Sequence, residues 1–236
     1  MIQPGWQNIF SVYWLCWSIM LLVSLFTLFL TIYKIIAEQN VYTYYLILTY
    51  QITSILQGGF SFYLAYSGFI NNKFSPDAVT ANIFMLLEFG IFSLLFYKVL
   101  KSRLIKTIIS SAMIIFPLAC ILYWLKFKTI TINPYNLSVI EILYLISICL
   151  VYFFELFRSP PTKKLTNEPE FWYFTGILLY LVCLLPNCLM LQFIPLNDLI
   201  HYDILVMAVF VACILLNVFF IKALLCKTSQ PTLSSL

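Results

Sequence analysis

Charged side chains are scarce in this chain. They make up 9% of its 236 residues, whereas ordinary soluble domains carry roughly a quarter. Nine acidic and thirteen basic residues cannot form the charged shell that a soluble core of this length needs. A lipid bilayer removes that requirement, because the outer surface of the protein then faces hydrocarbon. The 63% of hydrophobic residues and the 18% of aromatic residues agree, since aromatic rings favour membrane interfaces.

The chain also offers few residues arranged to bind a metal ion or to form disulfides. The single histidine is His201, and the seven cysteines lie within or beside apolar runs, as is typical of buried free thiols. Cys183 and Cys188 have no second pair nearby, so we predict no metal site, no disulfide framework and no cofactor. The chain lacks a phosphate-binding glycine loop and a nucleophile elbow. The last apolar run has no central lysine for a retinal Schiff base. These absences favour a protein that is not an enzyme.

Seven long apolar runs are present instead. Each has the roughly 20 residues that cross about 30 Å of hydrocarbon, and runs without inside-outside alternation exclude a barrel. We therefore predict an all-α integral membrane protein with one domain over residues 1–226, a bundle of seven transmembrane helices. The predicted spans are about 9–33, 43–68, 80–100, 104–125, 137–157, 171–194 and 203–224. Residues 227–236 are rich in Ser and Thr and are predicted to form a short disordered cytoplasmic tail.

The basic residues predict the orientation. Ten of the thirteen fall on one side of the predicted bundle and three on the other, which by the positive-inside rule makes the richer side cytoplasmic. The N-terminus is then outside, in a multi-pass protein of the inner (cytoplasmic) membrane. A short joint between helices 3 and 4 is expected at the cytoplasmic headgroups, in contact with anionic lipid and not with nucleic acid. The ten are Lys34, Lys98, Lys101, Arg103, Lys106, Arg158, Lys163, Lys164, Lys222 and Lys227, of which Lys98, Lys101, Arg103 and Lys106 form the joint.

Glu88 is the most informative polar residue of the predicted spans. It lies eight residues into the predicted helix 3, roughly 12 Å below the outer end at 1.5 Å per residue. An ionisable side chain at that depth is costly and suggests a functional site. We predict an outer-half polar cluster that binds a ligand, or alternatively an interhelical hydrogen-bond network that only holds the bundle together. The candidate members are Gln57, Glu88, Glu141, Asn187 and Gln192.

Several short motifs carry a resemblance to known proteins. The segments 82–89 (NIFMLLEF) and 96–101 (FYKVLK) are followed by Glu141, by 152–156 (YFFEL) and by 169–180 (PEFWYFTGILLY). Over residues 80–224 the chain resembles a group of short bacterial seven-helix proteins, which are similar to the membrane sensor regions of some histidine kinases. That resemblance implies a sensory role. Because no catalytic domain follows helix 7, it also implies a separate cytoplasmic signalling partner.

Three functions remain open at this point. The reading we favour is a receptor-like or sensory protein that detects a small molecule, a lipid or the state of the membrane through the polar cluster. A small-solute or ion transporter or channel subunit would use Glu88 and Glu141 to bind or relay a cation or proton, but the chain shows no inverted-repeat halves. A membrane-embedded lipid enzyme would use the same carboxylates as acid and base. The oligomeric state is not predicted.

Overall fold

A computed structural model describes residues 4–38, 42–66, 76–127, 135–158, 164–191, 193 and 199–226. Within these ranges the regular structure is entirely helical, which confirms the predicted fold class at the level of a helical membrane protein. The seven α-helices are α1 (Pro4–Glu38), α2 (Tyr42–Tyr66), α3 (Pro76–Val99), α4 (Arg103–Phe127), α5 (Tyr135–Arg158), α6 (Pro169–Leu191) and α7 (Leu199–Leu225). A 3-10 turn at Leu165–Asn167 precedes α6. The predicted tail, 227–236, lies outside the described residues.

Six of these helices, α1 and α3 to α7, are long and apolar enough to cross a membrane. Their outward faces carry bare hydrocarbon side chains: Phe29 of α1 is 66% exposed, and Ile114 of α4 is 71% exposed. Such surfaces belong in lipid, so the chain is a multi-pass membrane protein. The remaining helix, α2, is more polar because it carries Gln51 and Gln57.

Six helices close into a ring, and α4 lies outside it. Around the ring the order is α1, α2, α3, α5, α6, α7 and back to α1, while α4 packs against α3. The contact between Phe89 of α3 and Phe116 of α4, with ring centroids 4.4 Å apart, belongs to this outer layer. Consecutive helices run in opposite directions. We call the end where α2, α4 and α6 begin the base, and the end where α1, α3, α5 and α7 begin the top.

The interface between α1 and α7 is built on small polar residues. Ser24, Thr27 and Thr31 are all buried along one face of α1, and the two threonine hydroxyls donate to backbone carbonyls one turn earlier. Asn217 of α7 donates from Nδ2 to Ser24 Oγ at 3.2 Å. Small residues allow close helix approach, and an interhelical hydrogen bond adds specificity where lipid gives no hydrophobic drive.

The interface between α6 and α7 depends on Gly176. A Cβ atom at this position would lie 2.6 Å from Cβ of Phe219 and 3.5 Å from Leu216. Real Cβ atoms do not approach other carbon atoms this closely. The absent side chain therefore lets α7 pack directly against the backbone of α6.

Aromatic rings fill the half of the ring nearest the base. Phe96 of α3 stacks on Phe174 of α6 with ring centroids 4.6 Å apart, and Tyr152 of α5 lies 4.3 Å from the same Phe174 ring. Phe92 of α3 and Phe220 of α7 complete this layer and are fully buried. The base half of the interior is thus packed with side chains.

A buried acidic pair between α3 and α5

Glu88 lies at the middle of α3, twelve residues after Pro76 and eleven before Val99. This is deeper in the helix than the sequence indicated, because α3 begins at Pro76 and not near residue 80. The side chain is only 7% exposed. A carboxyl group at this position is shielded from both membrane surfaces.

The register of α3 against α5 brings a second carboxyl group to the same level. Near the top, Ser138 Oγ of α5 contacts Met85 Sδ of α3 at 3.5 Å. At the base, the backbone N–H of Lys101 donates to Glu155 Oε2 at 3.0 Å. The two helices are therefore parallel and stay in step over this length. Glu88 and Glu141 each lie three residues beyond the Met85–Ser138 contact, and they interact electrostatically.

Glu141 is 3% exposed at the seam between α3 and α5. Cys120 of α4 and Cys188 of α6 both lie within electrostatic reach of its carboxyl group. Cys188 is also within reach of Glu88. The acidic pair is thus surrounded by weakly polar thiols and apolar side chains, and its environment has a low dielectric constant.

Two tyrosines complete the site around Glu88. The hydroxyls of Tyr50 in α2 and Tyr180 in α6 are positioned to donate hydrogen bonds to its carboxylate. Both side chains are buried. These two tyrosines were not predicted as site residues, because sixteen tyrosines are spread along the chain. The available signal was their position in the interior of long apolar helices, away from the ends where tyrosines usually meet the interface.

This site has more buried polar atoms than hydrogen-bond partners for them. Within the described residues, Oε1 of Glu88 and Oε1 of Glu141 have no hydrogen-bond partner. The only ion pair among those residues joins Lys34 and Glu38 at the base, so no described cation neutralises either carboxyl group. Buried like charges repel strongly. The pair therefore favours protonation of one carboxyl group or one bound cation.

Gln51 adds to this excess. It is fully buried beside Tyr50 in α2, and neither Nε2 nor Oε1 has a partner in the described part of the chain. A buried amide without partners costs free energy comparable to several lost hydrogen bonds. Gln51 was not among the predicted site residues.

The other predicted site residues are Gln57, Asn187 and Gln192. Gln57 is seven residues after Tyr50, so it occupies the same face of α2 about 10 Å nearer the top; its Nε2 donates to Ser61 Oγ. Asn187 is placed likewise with respect to Tyr180 in α6, is 4% exposed, and donates from Nδ2 to the Cys183 carbonyl. Gln57 thus lies above Glu88, whereas Asn187 directly precedes Cys188, which is within electrostatic reach of Glu88 and Glu141. Gln192 lies outside the described residues.

The predicted joint lies at the base. Lys98 is in the last turn of α3, Arg103 and Lys106 are in the first turn of α4, and Lys101 is in the link between them. These four side chains are far from Glu88 along α3. They belong to a surface and not to the acidic pair.

The described side chains include no group of three or more His, Cys, Asp or Glu residues placed to hold a metal ion. Two carboxyl groups with two neighbouring hydroxyls suit a proton, an alkali ion or an amine better than a transition metal.

Among known proteins, no family model, no curated protein and no solved structure matches this chain.

Proposed function

We propose that this protein is a seven-helix membrane receptor, without enzymatic activity, that binds a small monovalent cation at Glu88 and Glu141. The observation that carries the proposal is the acidic pair, two buried carboxyl groups at one level whose Oε1 atoms have no partner among the described residues. In the absence of ligand the pair holds a proton, and an amine or alkali ion replaces it.

The two halves of the helix ring favour binding over passage. Toward the top, Gln57 and Asn187 offer amide groups along the faces that lead to Tyr50 and Tyr180. Toward the base, the interior is filled by stacked aromatic rings such as Phe96 and Phe174. We therefore expect a ligand to enter from the top, because the described residues of the base half are closely packed.

We further propose that the base is cytoplasmic and that α2 is the seventh span. Among the described basic residues, only Lys126 lies at the top; the others lie at the base, and this asymmetry places the base inside. Although α2 is less apolar, it is a full member of the helix ring and supplies Tyr50 to the interior. The resemblance to kinase-linked sensor regions supports a location in the bacterial inner membrane and a separate cytoplasmic partner that reads the base.

This orientation predicts the outcome of reporter fusions. A reporter after Leu236 should report the cytoplasm, and one inserted in residues 67–75, between α2 and α3, should report the exterior. A reporter between α1 and α2, in residues 39–41, should report the cytoplasm and tests whether α2 crosses the bilayer. Exterior signals from both the first and the second link would show that α2 does not cross.

A cation-coupled transporter is the second candidate, because paired carboxyl groups in the membrane interior also serve as cation or proton carriers. Binding and flux of radiolabelled methylammonium distinguish the two. We expect saturable binding to the purified protein and, in proteoliposomes, no uptake above protein-free vesicles. Uptake that disappears in the Glu88→Gln variant would make the protein a transporter. If the protein neither binds nor takes up methylammonium, sodium or potassium, both functions are contradicted.

A further inference from the structure

A groove of about 470 Å³ opens at the base, on the outer side of the helix ring where α2, α3 and α4 meet. Its walls are Tyr42, Leu94, Tyr97, Lys98 and Lys106. The groove is separate from the acidic pair, which lies farther along α3 toward the top. We propose that it binds the headgroup of an anionic phospholipid.

Tyrosine rings hold both lysines in the groove. Nζ of Lys98 lies 4.8 Å from the ring centroid of Tyr42, and Nζ of Lys106 lies 5.4 Å from that of Tyr97. A cation–π contact restrains an ammonium group without cancelling its charge. Among the described residues, no carboxylate lines the groove and none forms an ion pair with either lysine. Two positive charges therefore line one groove and are available to an anion.

The frame that carries these lysines is rigid. Leu100 in the link between α3 and α4 is 1% exposed, and the backbone N–H of Lys101 is held by Glu155 of α5. The first turn of α4 is closed by the bond from the Lys106 N–H to the Ser102 carbonyl at 3.1 Å. Binding an anion here does not require the link to become ordered first, which lowers the entropic cost.

The chemistry of the walls favours a lipid over a soluble anion. Lys98 and Lys106 stand at the helix ends, at the depth of the headgroups, while Leu94 is one turn farther into the bilayer on the same face of α3. A phosphate between the lysines would thus place its acyl chain along Leu94, in the cleft beside α4. Basic pockets between helices at this depth are suited to anionic headgroups.

Native mass spectrometry of the detergent-purified protein, with phosphatidylglycerol and phosphatidylcholine added in equal amounts, tests the proposal. We expect the wild type to retain phosphatidylglycerol preferentially. The variant Lys98→Gln/Lys106→Gln should bind it about 30-fold more weakly, as follows from about 1 kcal/mol per lysine near an anionic headgroup.

Matched variants separate the groove from net charge and from misfolding. Lys126→Gln/Lys222→Gln also removes two charges that lie over aromatic rings, those of Phe127 and Trp172, but outside the groove, and it should bind like the wild type. Lys98→Arg/Lys106→Arg should keep the preference. Equal losses in the two glutamine variants, or no preference in the wild type, would overturn the proposal. Binding of a poly-glutamate peptide without a preference for phosphatidylglycerol would also overturn it, in favour of an acidic protein segment.

Discussion

Glu88→Gln should abolish methylammonium binding at the acidic pair while leaving the helix ring folded. The amide keeps the size of the side chain and can still accept hydrogen bonds from Tyr50 and Tyr180, but it supplies no negative charge. Removing one partner of a buried charge interaction costs about 3–5 kcal/mol, so the dissociation constant should rise at least about 100-fold. Isothermal titration of the purified protein with methylammonium chloride measures this change.

Thermal unfolding of the same variant separates binding from stability. Without ligand we expect the melting temperature of Glu88→Gln to equal or exceed that of the wild type, because the variant buries one ionisable group fewer. Glu155→Gln is the matched control: this carboxylate holds the base link through the Lys101 N–H and lies far from the pair, so the affinity should not change. Unchanged methylammonium affinity in Glu88→Gln would mean that the acidic pair has a structural role only.

Gly176→Ala should destabilise the protein by about 1–3 kcal/mol, the usual cost of overpacking a close interface. The added methyl group would lie 2.6 Å from Cβ of Phe219, and that atom is fixed to the backbone of α7. The helices must therefore separate, which also disturbs Tyr180 one turn farther along α6. Unfolding of the purified protein in mixed detergent micelles measures the free energy.

Gly59→Ala provides the comparison for Gly176→Ala. Nothing lies within 4 Å of a Cβ atom at Gly59, and alanine has the higher helix propensity. We expect Gly59→Ala to be neutral or slightly stabilising. Equal stability of the two alanine variants would mean that α6 and α7 are not in direct backbone contact at Gly176.

The helix content was predictable from the sequence, because a membrane helix needs about 20 apolar residues and forms all its backbone hydrogen bonds internally. The helices α1 and α3 extend several residues beyond the starts of the spans predicted at about 9 and 80. Both helices begin at a proline, Pro4 and Pro76, which suits the first helical turn but interrupts no apolar run. Hydropathy alone therefore did not mark these boundaries.

The acidic pair was only partly predictable. Depth along each helix suggested that Glu88 and Glu141 lie near each other, and the parallel register of α3 and α5 brings them to one level. Gln57 was expected at a comparable depth and lies about 10 Å nearer the top than Tyr50, whereas Asn187 was predicted in the outer half of helix 6 and directly precedes Cys188, which is within electrostatic reach of both carboxyl groups. Helical periodicity shows which face of a helix is buried but not which helix packs against that face. The order of the helices in the ring and the position of α4 outside it could therefore not be predicted from the sequence.

The infrared difference spectrum between protein with and without methylammonium tests the central claim most directly, because it observes the two carboxyl groups themselves. We predict that the C=O stretch of a buried protonated carboxyl group is present without ligand and disappears when methylammonium binds, and that Glu88→Gln/Glu141→Gln lacks both the band and the change. A spectrum of the wild type that shows no carboxyl band and no response to methylammonium, sodium or potassium would contradict the account.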